Sequence, residues 1–156
     1  MVELLFALGL LALLAGLAAP GFRTSLRAAA VRSATFELLA GLQQARANSI
    51  LQVLPGVLCP TNSAGGCLPA AAPGAAWRSW LEASGDPREL GGQSLPQGVV
   101  IRANRSPIRF WPASFAASAA TLTICDDQRL AAPRAIVISQ GGRARLAAAS
   151  PAACVT

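Results

Sequence analysis

The chain has no histidine, no lysine and no tyrosine, and only seven of its 156 residues are acidic. Histidine and lysine supply the bases that activate serine and cysteine nucleophiles in most enzymes of that type. The acids of the C-terminal two thirds stand mostly in turn-like stretches and match no metal or phosphate motif; they are Glu82, Asp86, Glu89, Asp126 and Asp127. These absences argue against an enzyme, and we expect neither a metal nor a cofactor.

Cysteine is also scarce, with four residues at positions 59, 67, 125 and 154. No two of them form a C-x-x-C pair and no histidine can assist, which argues against a zinc site. An even number of cysteines in an exported domain indicates disulfides formed in an oxidising compartment. Three pairings are possible, and we favour the sequential one, Cys59–Cys67 and Cys125–Cys154.

Basic charge comes from arginine alone, and it is unevenly distributed. The thirteen arginines outnumber the seven acids, giving a net charge of +6. From Gly98 to the end, seven arginines face only Asp126 and Asp127, a balance of +5. A basic C-terminal half predicts a polyanionic partner, either nucleic acid or an anionic surface. We expect the two aspartates to form a turn or to pair with Arg129 or Arg134.

A run of sixteen uncharged, mostly aliphatic residues extends from Leu4 to Ala19, preceded by Glu3 and followed by Pro20. As a helix it would be roughly 24 Å long, slightly less than a bilayer core. Such a segment suits a signal-peptide core, a short membrane helix or a buried helix. A secretory signal carries basic residues ahead of the apolar core, whereas here an acid stands there. We therefore expect residues 1–21 to be a membrane-spanning or filament-core segment.

The helix is predicted to continue beyond Pro20 with a bend, as an amphipathic segment over residues 22–54. Its apolar stripe is predicted to run from Phe22 and Leu26 to Leu42 and Ala45. Pro55 and the glycine after it then end the helix. A single helix of about 50 residues is expected, four times the usual length.

Residues 55–156 alternate short apolar runs with turn residues, which predicts an antiparallel β head and an α+β fold overall. The predicted strands are 57–59, 77–81, 99–103, 108–111, 122–125, 135–139 and 143–147. Residues 60–76 are predicted to form a loop, and residues 85–87 a turn. Gln140-Gly141-Gly142 is predicted to be the hairpin turn between the last two strands.

The N-terminal pattern resembles type IV pilins and type II secretion pseudopilins. Met1-Val2-Glu3-Leu4-Leu5 precedes an aliphatic run, and Glu3 and Pro20 have the family's separation of 17 residues. The resemblance implies that Met1 is the third mature residue, and that a basic leader and an N-methylated Phe precede it in a longer coding region. It also implies cleavage by a prepilin peptidase. In the family the acid pairs with the N-terminal amine of a neighbouring subunit, so Glu3 and Pro20 are expected to act in assembly.

The rest of the chain is similar to the GspH/FimT branch of that family. The matching segments, in order, are Leu42-Gln43-Gln44-Ala45-Arg46-Ala47, Val57-Leu58-Cys59-Pro60, Trp77-x-x-Trp80, Leu95-Pro96-x-Gly98-Val99, Leu122-Thr123-Ile124-Cys125 and Gly142-Arg143-Ala144-Arg145. The last segment matches a Gly-Arg-x-Arg motif implicated in DNA binding by pilins of natural transformation. The resemblance thus implies a DNA site at Gly142, Arg143 and Arg145, with Arg129 and Arg134 as further candidates.

The expected spacing of Arg143 and Arg145 is compatible with DNA binding, but it is also compatible with a purely structural role. Arg143 and Arg145 would lie on one face of a strand, about 7 Å apart, which is near the spacing of successive phosphates. With few aromatic residues, and with the tryptophans expected in the core, backbone contact without sequence preference is the expected mode. The alternative is a solvated strand end whose arginines prevent edge-to-edge aggregation.

These features predict a minor pilin that is anchored once in the inner membrane and has a periplasmic head. It later joins a pilus or a pseudopilus, and a pilus would extend to the cell surface. Its expected partners are other pilin subunits, the membrane before assembly, and DNA. One alternative is a type II secretion pseudopilin that acts in protein export. Another is a membrane-anchored binding protein that never polymerises.

Overall fold

The computed structural model describes residues 2–61, 66–68, 76–84 and 86–155. Helix α1 (Val2–Gln52) comes first, and the head of residues 55–156 follows it. The strands of the head are β1 (Gly56–Thr61), β2 (Ala76–Leu81), β3 (Arg88–Gln93), β4 (Val99–Ala103), β5 (Ile108–Trp111), β6 (Ala116–Ala117), β7 (Ala120–Asp126), β8 (Arg134–Ile138) and β9 (Ala144–Ala148). A short 3₁₀ helix, Pro151–Cys154, precedes the C-terminus. The predicted α+β class, a long helix packed on antiparallel strands, is confirmed.

Helix α1 is continuous through Pro20, as predicted, and its 51 residues make it about 76 Å long. Its buried stripe begins later than predicted, at Val31, and continues through Leu38 and Leu42. Phe22 and Leu26, which the spacing assigned to this stripe, are 65% and 53% exposed. The prediction was wrong there because helical periodicity identifies a face but not how far the head extends along it.

The helix ends three residues before Pro55. Val53 takes the left-handed conformation with a φ of 54°, and the N–H of Leu54 donates to the carbonyl of Ser49 at 3.2 Å. This is the Schellman arrangement, which satisfies a carbonyl that the helix leaves open. A β-branched residue is unusual in that conformation, so the sequence marked the end only through Pro55 and not through Val53.

The described residues of the head form two antiparallel sheets that pack on the helix. One has the strand order β3-β2-β1-β5-β6, and the other has the order β4-β7-β8-β9. Both contribute their inner faces to a common core with α1, which includes Leu38, Leu58, Ile108, Leu122 and Ile136. The C-terminal half of α1 therefore fixes both sheets, whereas Leu4, Phe6 and Leu11 near its start are more than half exposed.

The two disulfides have the sequential pairing that we favoured. Cys59 bonds to Cys67 and Cys125 bonds to Cys154. Chain-entropy arguments give such loops roughly 2.5 and 3.5 kcal/mol of stabilisation. The second bridge holds the 3₁₀ helix of the tail against β7. Most of the predicted loop 60–76, and Gly85 of the predicted turn, lie outside the described residues.

The expected membrane-spanning segment, residues 1–21, is not confirmed. Within the described part of the chain, no helix meets the combined requirement of length and apolar character for crossing a membrane.

Candidate nucleic-acid interface

The motif Gly142-Arg143-Ala144-Arg145 lies at the hairpin that joins β8 to β9. Gly142 donates its N–H to the carbonyl of Ser139 at 2.9 Å, and Ser139 donates to the carbonyl of Arg143 at 3.1 Å. The Ser139 hydroxyl also accepts the N–H of Arg143 at 3.2 Å. With a φ of 72°, Gly142 supplies the left-handed residue that this type of hairpin requires. The backbone that positions Arg143 is therefore fixed by three hydrogen bonds.

Both arginines of the motif are exposed, and Arg145 lies on an edge strand. Arg145 pairs with Val137, while its neighbour Leu146 pairs with the fully buried Ile136. Because paired residues share a face, Arg145 points away from the helix. Arg143 precedes β9 rather than lying within it, so the predicted strand began one residue too early.

A third arginine, Arg46 of α1, lies against the same hairpin. A β-carbon built on Gly142 would lie 3.1 Å from its Nε. Arg46 is half-buried, and no acid among the described residues lies within ion-pair distance of it, nor of Arg143 or Arg145. The end of the head near the C-terminus of α1 therefore carries three positive charges that the described acids do not neutralise.

Arg102 lies on the same outward face as Arg145, which sequence reasoning missed. It pairs with Thr123 of β7, Thr123 pairs with Ala135 of β8, and Ala135 pairs with Ala147 of β9. Arg102 lies three strand spacings across the sheet and two residues along the strand from Arg145, which places their backbone positions about 16 Å apart. No described acid pairs with Arg102. The alternation in residues 99–103 indicates that Arg102 lies on the opposite face from Ile101. Only the strand order shows that β4 and β9 are the two edges of the same sheet, so that Arg102 and Arg145 share a face.

The structure separates the two further candidates, Arg129 and Arg134, from the motif. Arg134 pairs with Ala148, at the opposite end of β8 and β9 from the hairpin, and shares the helix-facing side of the sheet with Ile124. Arg129 lies in the turn after Asp126, also at that end, with a φ of 58°. Neither residue shares a surface with Arg143 and Arg145.

Of the two alternatives for the aspartates, the structure has the turn, which the N–H of Arg129 closes on the carbonyl of Asp126 at 3.1 Å, and the pairing with Arg129 or Arg134 is wrong. Asp126 and Asp127 each lie 3.7 Å from Nη1 of Arg27, which comes from α1. A carboxyl oxygen of Asp126 also accepts the N–H groups of Leu130 and Ala131. The acids therefore join the helix to the end of β7, and among the described residues Arg129 and Arg134 have no acidic partner.

Two other arginines of the head are neutralised locally. Arg78 pairs with Glu89 at 3.2 Å, and Arg109 pairs with Glu82 at 2.8 Å. Arg88 donates to the uncharged side-chain oxygen of Gln52 at 2.8 Å, so this contact leaves its charge uncompensated. Arg78 and Arg109 therefore add less to the basic surface than the arginines of the hairpin and of the outward face of β4-β7-β8-β9.

The two expected assembly residues lie in the part of α1 that projects from the head. Glu3 is exposed in the first turn, and Pro20 lies within the helix. The described side chains around Glu3 lie largely in solvent, with Leu4 at 68% and Phe6 at 71% exposure. An apolar helix surface of this kind is buried by a membrane or by other helices.

A long helix whose second half packs on a β head, and whose first half projects from it, defines a pilin-like protein. The type IV minor pilin FimU of Pseudomonas aeruginosa has this fold. Its crystal structure in space group P21 matches with a TM-score of 0.59 at 20% identity, covering 75% of this chain and 87% of FimU. The form in space group P65 gives 0.58 at 20% identity, with 74% and 91% covered.

The family model described as type II transport protein GspH matches residues 34–142, and the chain belongs to this family. A comparison with curated proteins gives no significant match. Pilins and pseudopilins are structural proteins, so the prediction of a non-enzymatic protein is confirmed. The resemblance to the GspH/FimT branch is likewise confirmed.

Proposed function

We propose that this chain is a minor pilin of a type IV pilus, and that its head binds the phosphate backbone of DNA for uptake in natural transformation. The observation that carries the proposal is the exposed pair Arg143 and Arg145. They lie on a fixed hairpin and an edge strand, without an acidic partner in the described residues.

The physical basis is phosphate neutralisation. Each guanidinium presents a planar fork of donors that matches a phosphate, and each contact releases about one condensed counterion. A handful of such contacts gives dissociation constants near 10⁻⁴ to 10⁻⁶ M, and affinity falls as salt rises. Because these contacts do not reach base edges, binding is independent of sequence.

Filament assembly depends on the N-terminal half of α1. The apolar first half of α1 anchors the protein once in the inner membrane, with the head in the periplasm. After a prepilin peptidase has processed the precursor, this half enters the filament and packs on other pilin subunits. Within an apolar filament core the Glu3 carboxylate requires a positive partner, since an unpaired buried charge is costly.

The test of DNA binding uses the full chain in detergent micelles and a fluorescent duplex, with anisotropy measured from about 50 to 200 mM salt. Changing Arg143 and Arg145 together to Gln is expected to weaken binding at least about tenfold and to reduce the magnitude of the salt slope by about 1.8, since two phosphate contacts are lost.

The matched control changes Arg78 and Arg109 to Gln. It removes the same formal charge, but from residues that pair with Glu89 and Glu82. We expect this control to change duplex affinity far less. If the Arg143 and Arg145 variant binds duplex like the wild type, the motif is a solvated strand end and DNA is not its ligand.

The second candidate function is a minor pseudopilin of type II secretion, which the description of the matching family favours. Deleting the gene separates the two functions. A pilus protein is expected to affect DNA uptake and leave secretion unchanged, whereas a pseudopilin is expected to give the opposite result.

A further inference from the structure

The hairpin between β5 and β6 presents two aromatic side chains to solvent. Trp111 is 41% exposed and Phe115 is 61% exposed, whereas Trp77 is buried at 3%. Phe110 and Ala117 form the inward pair of this hairpin, so the next pair, Trp111 with Ala116, points outward. The expectation that the tryptophans belong to the core therefore holds for Trp77, whereas Trp80 is only partly buried and the expectation is wrong for Trp111.

Phe115 occupies a backbone conformation that suits glycine. Its φ is 51°, and its N–H donates to the carbonyl of Pro112 at 3.4 Å to close the turn. A bulky residue in the left-handed region is a true outlier. Core packing does not compensate for it, because most of the ring surface is in solvent. Such conflicts between local preference and structure concentrate at functional sites.

The aromatic hairpin lies beside the basic one. Ala117 donates its N–H to the carbonyl of Gln140 at 2.6 Å. A β-carbon on Gly142 would lie 3.5 Å from that of Ala117. Phe115 is two residues from Ala117, in the turn that precedes β6. The aromatic rings and the arginines at positions 46 and 143 thus belong to one end of the head.

We propose that Trp111 and Phe115 form a stacking platform for unpaired bases, which makes this end of the head a binding site for single-stranded DNA. The inference rests on the proposed DNA binding for its phosphate contacts and adds a contact with the bases. Proteins that bind single strands without sequence preference combine these two elements, a basic groove for the backbone and aromatic faces for successive bases.

Charge favours nucleic acid over a protein partner at this surface. Glu82 already pairs with Arg109, whose strand position is two before Trp111. The arginines beside the aromatic hairpin have no such partner among the described acids. An aromatic surface flanked by uncompensated guanidinium groups suits a ligand that has both π faces and negative charge.

Phe115→Gly is the most informative variant because we expect it to keep or raise thermal stability while it lowers affinity for single-stranded DNA. It removes the left-handed strain, so thermal stability should be equal to or above that of the wild type. It also removes a stacking surface, so affinity for a short oligothymidine should fall at least about fivefold. Trp111→Leu keeps apolar bulk and should show a similar loss of affinity. The control is Phe36→Ala, which removes a half-exposed ring from α1, ten residues before Arg46.

Affinity is measured by fluorescence anisotropy with the full chain in detergent micelles, on the oligothymidine and on a duplex. Both aromatic variants should retain duplex affinity within about twofold, and quenching of tryptophan emission by the oligothymidine should disappear in Trp111→Leu. If the wild type binds duplex but the aromatic variants lose no single-strand affinity, the stacking platform is wrong and the proposed function stands. If the wild type binds neither, both are wrong, and the aromatic surface is available to a neighbouring protein.

Discussion

The guanidinium group of Arg27 occupies the space that a side chain at Gly98 would need. Gly98 has a φ of 78°, and a β-carbon built there would overlap Nη1 of Arg27. The same nitrogen donates to the carbonyl of Gln97 at 2.9 Å and lies near the carboxylates of Asp126 and Asp127. Arg27 therefore links α1 to Gln97, Asp126 and Asp127 near the point where the helix leaves the head, and these contacts help to hold the helix on the sheet.

Gly98→Ala is expected to lower the free energy of unfolding by about 2 kcal/mol. Part of the loss is left-handed strain, and the rest is displacement of Arg27 from its carbonyl and carboxylate partners. Urea unfolding followed by tryptophan fluorescence measures it. Gly91→Ala is the control, because nothing lies within 4 Å of the added carbon; it should stabilise by about 0.5 kcal/mol. Equal effects of the two changes would contradict the proposed overlap.

Asp126 and Asp127 lie at the same distance from Arg27 but should differ in their effect on stability. The side chain of Asp126 is fully buried and accepts two backbone N–H groups, whereas that of Asp127 is 48% exposed. Asp126→Ala leaves those donors unsatisfied and should cost about 2 kcal/mol or more. Asp127→Ala removes only a screened surface pair and should cost about 0.5 kcal/mol or less. The same unfolding measurement compares them, and a larger loss at Asp127 would show that charge rather than burial dominates.

Local sequence pattern predicted much of the fold. The bounds of β4 and β5 were predicted correctly, since both strands are short apolar runs rich in β-branched or aromatic residues. Strand β3 was missed because Arg88–Gln93 contains two glycines and two charges; its pairing with β2 makes it a strand. The division of the head into two sheets depends on contacts between distant segments, which periodicity does not encode.

The candidate site was predictable only where a motif marks it. Gly142, Arg143 and Arg145 adjoin in sequence, so a short pattern found them. Arg102 joins the same face through strand order, and Arg46 through helix packing. The partner of the two aspartates, Arg27, is 99 residues from Asp126, beyond the reach of any local pattern.

Glu3→Ala is expected to insert into the membrane normally but to be absent from purified filaments. The proposed reason is that Glu3 pairs with the N-terminal amine of a neighbouring subunit, so its loss leaves that amine unpaired in an apolar filament core. Immunoblots of membrane and filament fractions measure the distribution. Glu3→Asp retains the charge and should assemble at least in part, whereas normal assembly of the alanine variant would contradict the role of the acid.

Arg102→Gln tests whether DNA crosses the outward face of β4-β7-β8-β9 or contacts only the β9 edge. If a duplex spans the face, Arg102 contacts a phosphate some 16 Å from the one at Arg145, and its loss should reduce the magnitude of the salt slope by about 0.9. Arg109→Gln removes the same charge from a pair with Glu82 and should leave the slope nearly unchanged. Anisotropy titrations at several salt concentrations measure both slopes. An unchanged slope in Arg102→Gln would confine the duplex to the hairpin and the β9 edge, because a bound phosphate near Arg102 could not lose its guanidinium without altering counterion release.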